Sequence, residues 1–378
     1  HQPGVAQQIL RPLAAFQQLV QQFVRNRHGP CSSQEAWTQA ARTEPKVEPQ
    51  VPASLEEALL ALDHQAAPVF AVLDGAQFDN LPHELLLGDF VSRPLYLDRG
   101  DNHPEQIITA PHMVWLDERP EKITGRAPQD TIPALMTLIA NRPAAVFWQC
   151  PDGADALYKH LRGINMVMIP NEFAPPAELA LPDMNGSTES GTHEAVLFRH
   201  ADANVIAQAL PVMNASETAR FYGPASSLFF APDPDWANGR EWLQSDRPID
   251  LPNSPPGLLT LSATTLEGMQ GARERRSLRR TASFLRRTLP PDFQGLSDHQ
   301  LERVASASRR SGNELGMRSL GGHQRWAYLM TITEGRVAQE PRVRAFIQAY
   351  DETPDRQVKT AMLDSLARMN QVAAEIDA

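Results

Sequence analysis

Residues 69–79, VFAVLDGAQFD, run from an apolar stretch straight into an acid, a glycine and a second acid. The continuous apolar run Val69–Leu73 is too short for a helix, so it reads as a strand buried on both faces. Gly75 permits the turn that follows. Asp74 then has two readings. It is a catalytic or metal-holding carboxylate, or it accepts backbone N–H groups where the strand turns into the next helix. A nucleophilic Asp-x-Asp site needs a second acid at position 76, where Ala76 stands. A metal-dependent transferase wants two acids one residue apart, so that both reach one cation, and Asp79 lies five residues on. The structural reading is preferred, with a hydrolase using Asp74 together with Asp79 or His200 as the alternative.

Outward from this strand, PLYLD (94–98), HMVWLD (112–117), AAVFWQC (144–150), NMVMIP (165–170) and EAVLFRH (194–200) are further apolar segments bounded by Pro, Asp or Asn. Helical patterns lie among them: TIPALMTLIAN (131–141), DGADALYKHLRG (152–163) and DANVIAQALPVM (202–213). Strands buried on both faces with helices between them predict an α/β fold, a mixed sheet with flanking helices. Residues 175–192 are polar and read as a loop. Before the sheet, Ile9, Leu13, Phe16, Val20 and Phe23 form one apolar helical stripe, suited to packing on its own protein or on a partner. Ser32 with Glu35 and Ser54 with Glu57 are capping-box pairs, the second opening a helix through about Gln65. Between them, TEPKVEPQVPAS (43–54) reads as a linker.

A proline-rich stretch over 231–257 marks a boundary, and beyond it the pattern is helical. Helices are predicted over 261–289, 297–310, 321–335, 341–350 and from 354 to the end. The second carries Leu301, Val304 and Ala305 on one face, the third Trp326, Leu329, Met330 and Ile332, and the last Val358, Met362, Leu366 and Met369. The predicted organisation is a helical extension and linker (1–65), an α/β domain (66–232), a linker (233–260) and an all-helical C-terminal lobe (261–378).

No apolar run approaches the ~18 residues of a membrane span. The chain starts HQPGVAQQ, without the pattern of a signal peptide and without Met, which suggests that the numbering begins inside a longer chain. With Cys31 and Cys150 as the two cysteines, neither a disulfide framework nor a cysteine-rich zinc site is expected. His83, His103 and His112 are dispersed, and His193 and His200 flank one strand without a ligand-type spacing, so no metal and no cofactor are expected. No phosphate loop, dinucleotide fingerprint or nucleophile elbow follows a strand. Cys150 reads as a buried apolar residue. The net charge of −10 disfavours nucleic acid as a partner, yet Arg273–Arg287 holds seven Arg and one Glu, leaving −16 on the rest of the chain. Arg276, Arg279 and Arg280 share a face of this helix, which is either a solvated surface or a dock for an acidic partner or for the chain's own acidic lobe. Phe284 is the one aromatic interleaved with these arginines, too few for base stacking.

The α/β region also resembles a family. Leu73-Asp74-Gly75-Ala76 at a strand end is similar to the start of the adaptor–chaperone domain of bacterial type VI secretion systems. In the family's order follow APHMVWLD (110–117), then Leu157, His160, Leu161 and Arg162 of a Leu-x-x-His-Leu-Arg element. Leu197-Phe198-Arg199 and FYGP (221–224), with Gly223 and Pro224, complete the series. Where the family often has Asp-Pro-Arg after Leu-Phe-Arg, this chain has Ala201-Asp202-Ala203-Asn204. The resemblance covers 69 to about 230 and implies an assembly function rather than catalysis. Such adaptors are cytoplasmic, recognise a toxic effector protein, often through its N-terminal region, and help load it onto the secretion spike protein. On this expectation Arg276, Arg279, Arg280, Trp326, Leu329 and Met330 of the helical lobe are candidate partner-binding residues, since helix-in-groove binding suits apolar effector segments.

Overall fold

A computed structural model of the chain describes residues 53–96, 108–140, 142–174, 192–237, 239–254, 256–349 and 352–363. The apolar stripe 9–23, the Ser32–Glu35 pair, the 43–52 linker and the loop 175–191 lie outside the described residues. Residues 47–273 form one compact unit and the chain from Glu274 onward belongs to a second.

The first unit is α/β. Helix α1 (Leu55–Leu60) starts as expected, with Ser54 Oγ accepting from Glu57 N–H at 3.2 Å. It stops five residues earlier than predicted, where the Ala61 N–H closes onto Glu57 O and the chain turns. Strand β1 (Val69–Leu73) is buried throughout. A 3₁₀ turn, Gly75–Gln77, leads to α2 (Leu81–Leu87), and then come β2 (Ser92–Pro94) and β3 (His112–Trp115). Next are α3 (Pro128–Ile139), β4 (Ala145–Gln149), α4 (Ala154–Ile164), β5 (Met166–Pro170) and β6 (His193–Leu197). Helices α5 (Ala203–Ala209) and α6 (Ala215–Tyr222) precede β7 (Ser227–Phe230). The stretch 233–260, expected to be a linker, instead supplies β8 (Leu243–Asp246) and β9 (Leu259–Thr260). Its prolines punctuate short edge strands, where a missing N–H costs no ladder bond.

The strands divide between two sheets. Six form an antiparallel sheet in the order β2-β3-β1-β4-β7-β8, and β6-β5-β9 form a second in which β5 and β9 are parallel. Continuous apolar strands report that both faces are covered; they carry no information about strand direction. Both faces are covered at β1, β3, β4 and β7, whereas β6, expected to be buried on both faces, alternates exposed and half-buried residues at the edge of its sheet. Phe70 and Val72 of β1 point to a core with Trp115, Trp148, Leu161 and Phe221, shared by β5, α4, α5 and α6. Val69, Ala71 and Leu73 point to the opposite core, with Leu59, Leu85, Leu135 and Phe147, under α1, α2 and α3. This alternation is the two-residue period of a strand, and it places Asp74 at the end of the sheet between the two layers.

The second unit is helical. Helix α7 spans Ala263–Thr288, and its residues from Glu274 fall in this unit. Helix α8 (Asp298–Glu314) begins with a complete capping box of Ser297 and Gln300. It is followed by α9 (Leu320–Ile332), α10 (Arg336–Gln339), α11 (Pro341–Ile347) and helical residues 354–363. Leu301 and Ala305 are buried as their spacing predicts, while Val304 is half-buried. No helix among the described residues is long and apolar enough to cross a membrane.

Candidate functional site

The carboxylate of Asp74 does two jobs. Its Oδ1 accepts the N–H of Ala76 at 3.2 Å, capping the 3₁₀ turn, and its Oδ2 is ion-paired with Nη2 of Arg199. Arg199 follows β6 in a loop held by Phe198 N–H to Asn165 O (2.8 Å) and Asp202 N–H to Arg199 O (3.0 Å). The same guanidinium nitrogen lies 3.4 Å from Asp202, whose Oδ1 caps α5 through Asn204 N–H. Burial works against the charge on Arg199, but Asp74 and Asp202 outweigh it and raise its pKa. Burial, followed by the nearby charge of Asp74, holds the Tyr96 phenol well above its ordinary value and therefore neutral. Gly75 is required by proximity: a Cβ there would overlap the backbone of Thr109 and Ala110. Segments 73–76, 109–110 and 197–202 thus meet at one joint.

A second joint joins α4 to the turn after α6. The Nε2–H of His160 donates to Phe221 O at 2.8 Å, and its Nδ1 faces Arg220 at 3.4 Å. Gly223 has φ +52°, and a Cβ there would overlap the His160 ring. Arg247 donates to Gly223 O, and Cys150, buried as expected, donates weakly to Pro224 O at 3.8 Å. Trp148 packs against Phe221 at 5.2 Å and against His160 and His200 at 6.3 Å each. His200 Nε2–H donates to Asn165 Oδ1 at 2.6 Å, and the Asn165 amide in turn donates to Leu95 O. Burial pushes the pKa of His160 down to about 4 and that of His200 to about 3, so both rings are neutral near pH 7.

Two buried carboxylates that sequence reasoning missed complete the frame. Glu118 is fully buried; its oxygens accept from Val91 N, Arg126 N, Arg126 Nε and Arg126 Nη2 at 2.8–3.2 Å. Its burial opposes ionisation, but the hydrogen bonds from Arg126 and Val91 win and lower its pKa to about 2. Glu217, at the third position of the α6 capping box, also accepts from Ser262 N–H (2.7 Å) and Thr265 Oγ1 (2.6 Å), tying α6 to the start of α7. A lone Glu in a loop or first turn gives no periodic signal, although Asn214-x-x-Glu217 was legible as a capping box.

The remaining predicted residues sort by burial. Leu73, Leu161 and Phe198 are core, Phe198 standing edge-on to Phe221 at 6.1 Å; Ala76 is exposed, and Arg162 lies over the Tyr158 ring at 5.5 Å. Asp79 and His83 are exposed, so the structure leaves Asp79 on the surface, Asp74 engaged by Arg199, and His200 turned to Asn165. No group of metal-ligating side chains assembles among the described residues. In the helical unit, Trp326 and Leu329 belong to the unit's own core, Trp326 Nε1–H donating to Ser311 Oγ at 3.1 Å. This corrects their expected place on a partner-facing surface: a stripe at helical spacing marks the buried face of the helix, which here is internal. Met330 is half-buried and lines a groove, and Arg279 and Arg280 are exposed, with Arg276 half-buried.

Residues 69–220 match the model of a family described as a domain of unknown function (DUF4123). No curated protein and no solved structure matches the chain.

Proposed function

We propose that this protein is a bacterial cytoplasmic adaptor–chaperone that binds an effector protein of a type VI secretion system and helps load it onto the secretion spike. One observation carries the reading. The short motifs that resemble that adaptor family, widely separated in sequence, are the residues that lock together in space: Asp74 with Arg199, Gly75 with Ala110, and His160 with Phe221 and Gly223. Asp74, Gly75, Ala110, His160 and Arg199 lie within the span that matches DUF4123, a family commonly linked to type VI effector adaptors, and Phe221 and Gly223 lie just beyond its end. The motifs quoted for the resemblance are thus in mutual contact in this fold, which supports reading them as one set.

The reading also gives Asp74 its role. A carboxylate that accepts a backbone N–H and is ion-paired with an arginine is committed to positioning two chain segments. Co-expression with the effector and spike proteins encoded beside this gene, followed by affinity capture and size-exclusion chromatography, tests the proposal. A stoichiometric complex with the effector is expected, and a chain that captures neither protein would overturn it. Turnover of a substrate that disappears in Asp74→Asn while the melting temperature is unchanged would favour the hydrolase instead.

A further inference from the structure

Residues 354–363 are helical and belong to the second unit. An amphipathic helix takes most of its stability from the face that it buries. Over these ten residues that face is Val358 and Ala361, which join Met317, Trp326 and Leu329 in one apolar cluster; Gln357 is buried as well. Arg356, Lys359, Thr360 and Leu363 are exposed. Helix α9 has more at stake: it buries six residues, Trp326, Ala327 and Leu329 among them. Segments that bury little open at a lower free energy than the whole fold.

A polar catch fastens the start of this helix. The carboxylate of Asp355 lies against the first turn of α9. Its Oδ1 accepts the N–H of Ser319 at 3.0 Å and the Ser319 hydroxyl at 2.5 Å, and its Oδ2 accepts the N–H of Arg318 at 3.1 Å. There it also faces the positive end of the α9 dipole. Burial opposes the charge, but the hydrogen bonds from Ser319 and Arg318 outweigh it and hold the carboxyl below its ordinary pKa. Gly322 leaves room for the catch, since a Cβ there would overlap Asp355 Oδ1. Asp355 is only half-buried, so water can replace these contacts when the carboxylate lifts away.

We propose that residues 354–363 act as a strap, held by Asp355 on the first turn of α9, which opens before the rest of the helical unit and uncovers Trp326. The closed strap hides an apolar side of α9 and the open strap presents it. This concerns one unit of one chain and does not rest on the effector-adaptor reading.

Hydrogen exchange on the full chain, read by mass spectrometry and corrected for intrinsic rates, tests the opening. Amides of 357–363 should exchange about ten-fold faster than those of 326–332 in α9. Two variants release the catch from opposite sides. Asp355→Ala removes the carboxylate, whereas Gly322→Ala drives it off while favouring the α9 helix itself. Each should speed exchange over 357–363 about ten-fold further and leave 326–332 unchanged. Equal exchange of the two segments in the parent protein, no acceleration in either variant, or acceleration of both segments together would overturn the proposal. Hydroxyl-radical footprinting reads the uncovering. Oxidation of Trp326 should rise about three-fold in both variants, with the buried Trp148 of the other unit as the unchanged reference. A Trp326 that stays protected while the strap opens would overturn the proposal as well.

Discussion

The ion pair between Asp74 and Arg199 gives the sharpest test of whether the acid at the strand end is structural. The side chains of Asp74 and Asp202 are 6% and 8% exposed, whereas that of Arg199 is 38% exposed. Replacing Arg199 by Met removes the one cation shared by two buried carboxylates. Breaking a buried pair costs ~3–5 kcal/mol; solvent access to the guanidinium reduces this, and we expect about 2–3 kcal/mol for Arg199→Met. Asp74→Asn keeps an oxygen to accept the Ala76 N–H and leaves Arg199 with Asp202, so its cost is smaller, about 1–2 kcal/mol. In the double variant no charge of the pair is left uncompensated, so its cost falls below the sum of the two, with a coupling energy of about 1–2 kcal/mol. Urea unfolding followed by tryptophan fluorescence measures all three, because Trp115 and Trp148 sit in the core next to this joint. Additive single costs, or an Arg199→Met penalty below about 0.5 kcal/mol, would refute the argument.

Three further outcomes are expected. Glu118→Gln should cost about 3 kcal/mol at pH 7, since a folded pKa of about 2 against an ordinary 4.5 stores roughly that much; the sign is that of a depressed acid, so this stability is full above pH 4.5 and is lost as pH falls toward 2, a limb that chemical denaturation should find flattened in the variant. His160 and His200, with folded values of about 4 and 3 below the ordinary 6.5, favour the neutral fold, so stability is full above pH 6.5 and declines as pH falls below it, and His200→Gln should shrink that part of the melting-temperature profile. Gly223→Ala should cost at least about 3 kcal/mol, because it combines a backbone conformation suited to glycine with overlap on His160; a His160→Ala background should return the overlap part of the melting temperature and leave the backbone part.

What the sequence made legible follows from what each residue type can signal alone. Buried strands and amphipathic helices announce themselves by period, and the strands at 69–73, 112–115, 145–149, 166–170 and 193–197 all fall where the apolar runs are. Strand direction did not, because Val69–Leu73 is equally apolar on both faces and would look the same in a parallel or antiparallel ladder. Edge strands such as β8, whose residues alternate between half-buried and exposed, lack an apolar run and were read as linker. Helix α2 and helix α6 are each under nine residues, too short for a period to register. At the candidate site, Ala76 argued against a paired-carboxylate reading of Asp74, but the partner of Asp74 was invisible: Arg199 is 125 residues away, and only the fold brings them together.

The same geometry explains why the quoted motifs report on the fold and say little about partners. Leu73, Leu161 and Phe198 are 5% exposed or less, Gly75 and Gly223 have no room for a Cβ, and Asp74 and His160 spend their polar atoms inside the unit. A partner meets only side chains that water can reach. In the α/β unit those include Leu86 and Leu87 on α2, 77% and 74% exposed, and Ile123 and Ile249 on loops, nearly or fully exposed. None of these belongs to a quoted motif, and none is needed to close the core. The joints close the fold without these exposed positions, which can therefore be substituted without reopening it. That division commits Asp74–Arg199 and His160–Gly223 to the fold, and leaves any partner contact to surfaces the motifs do not touch.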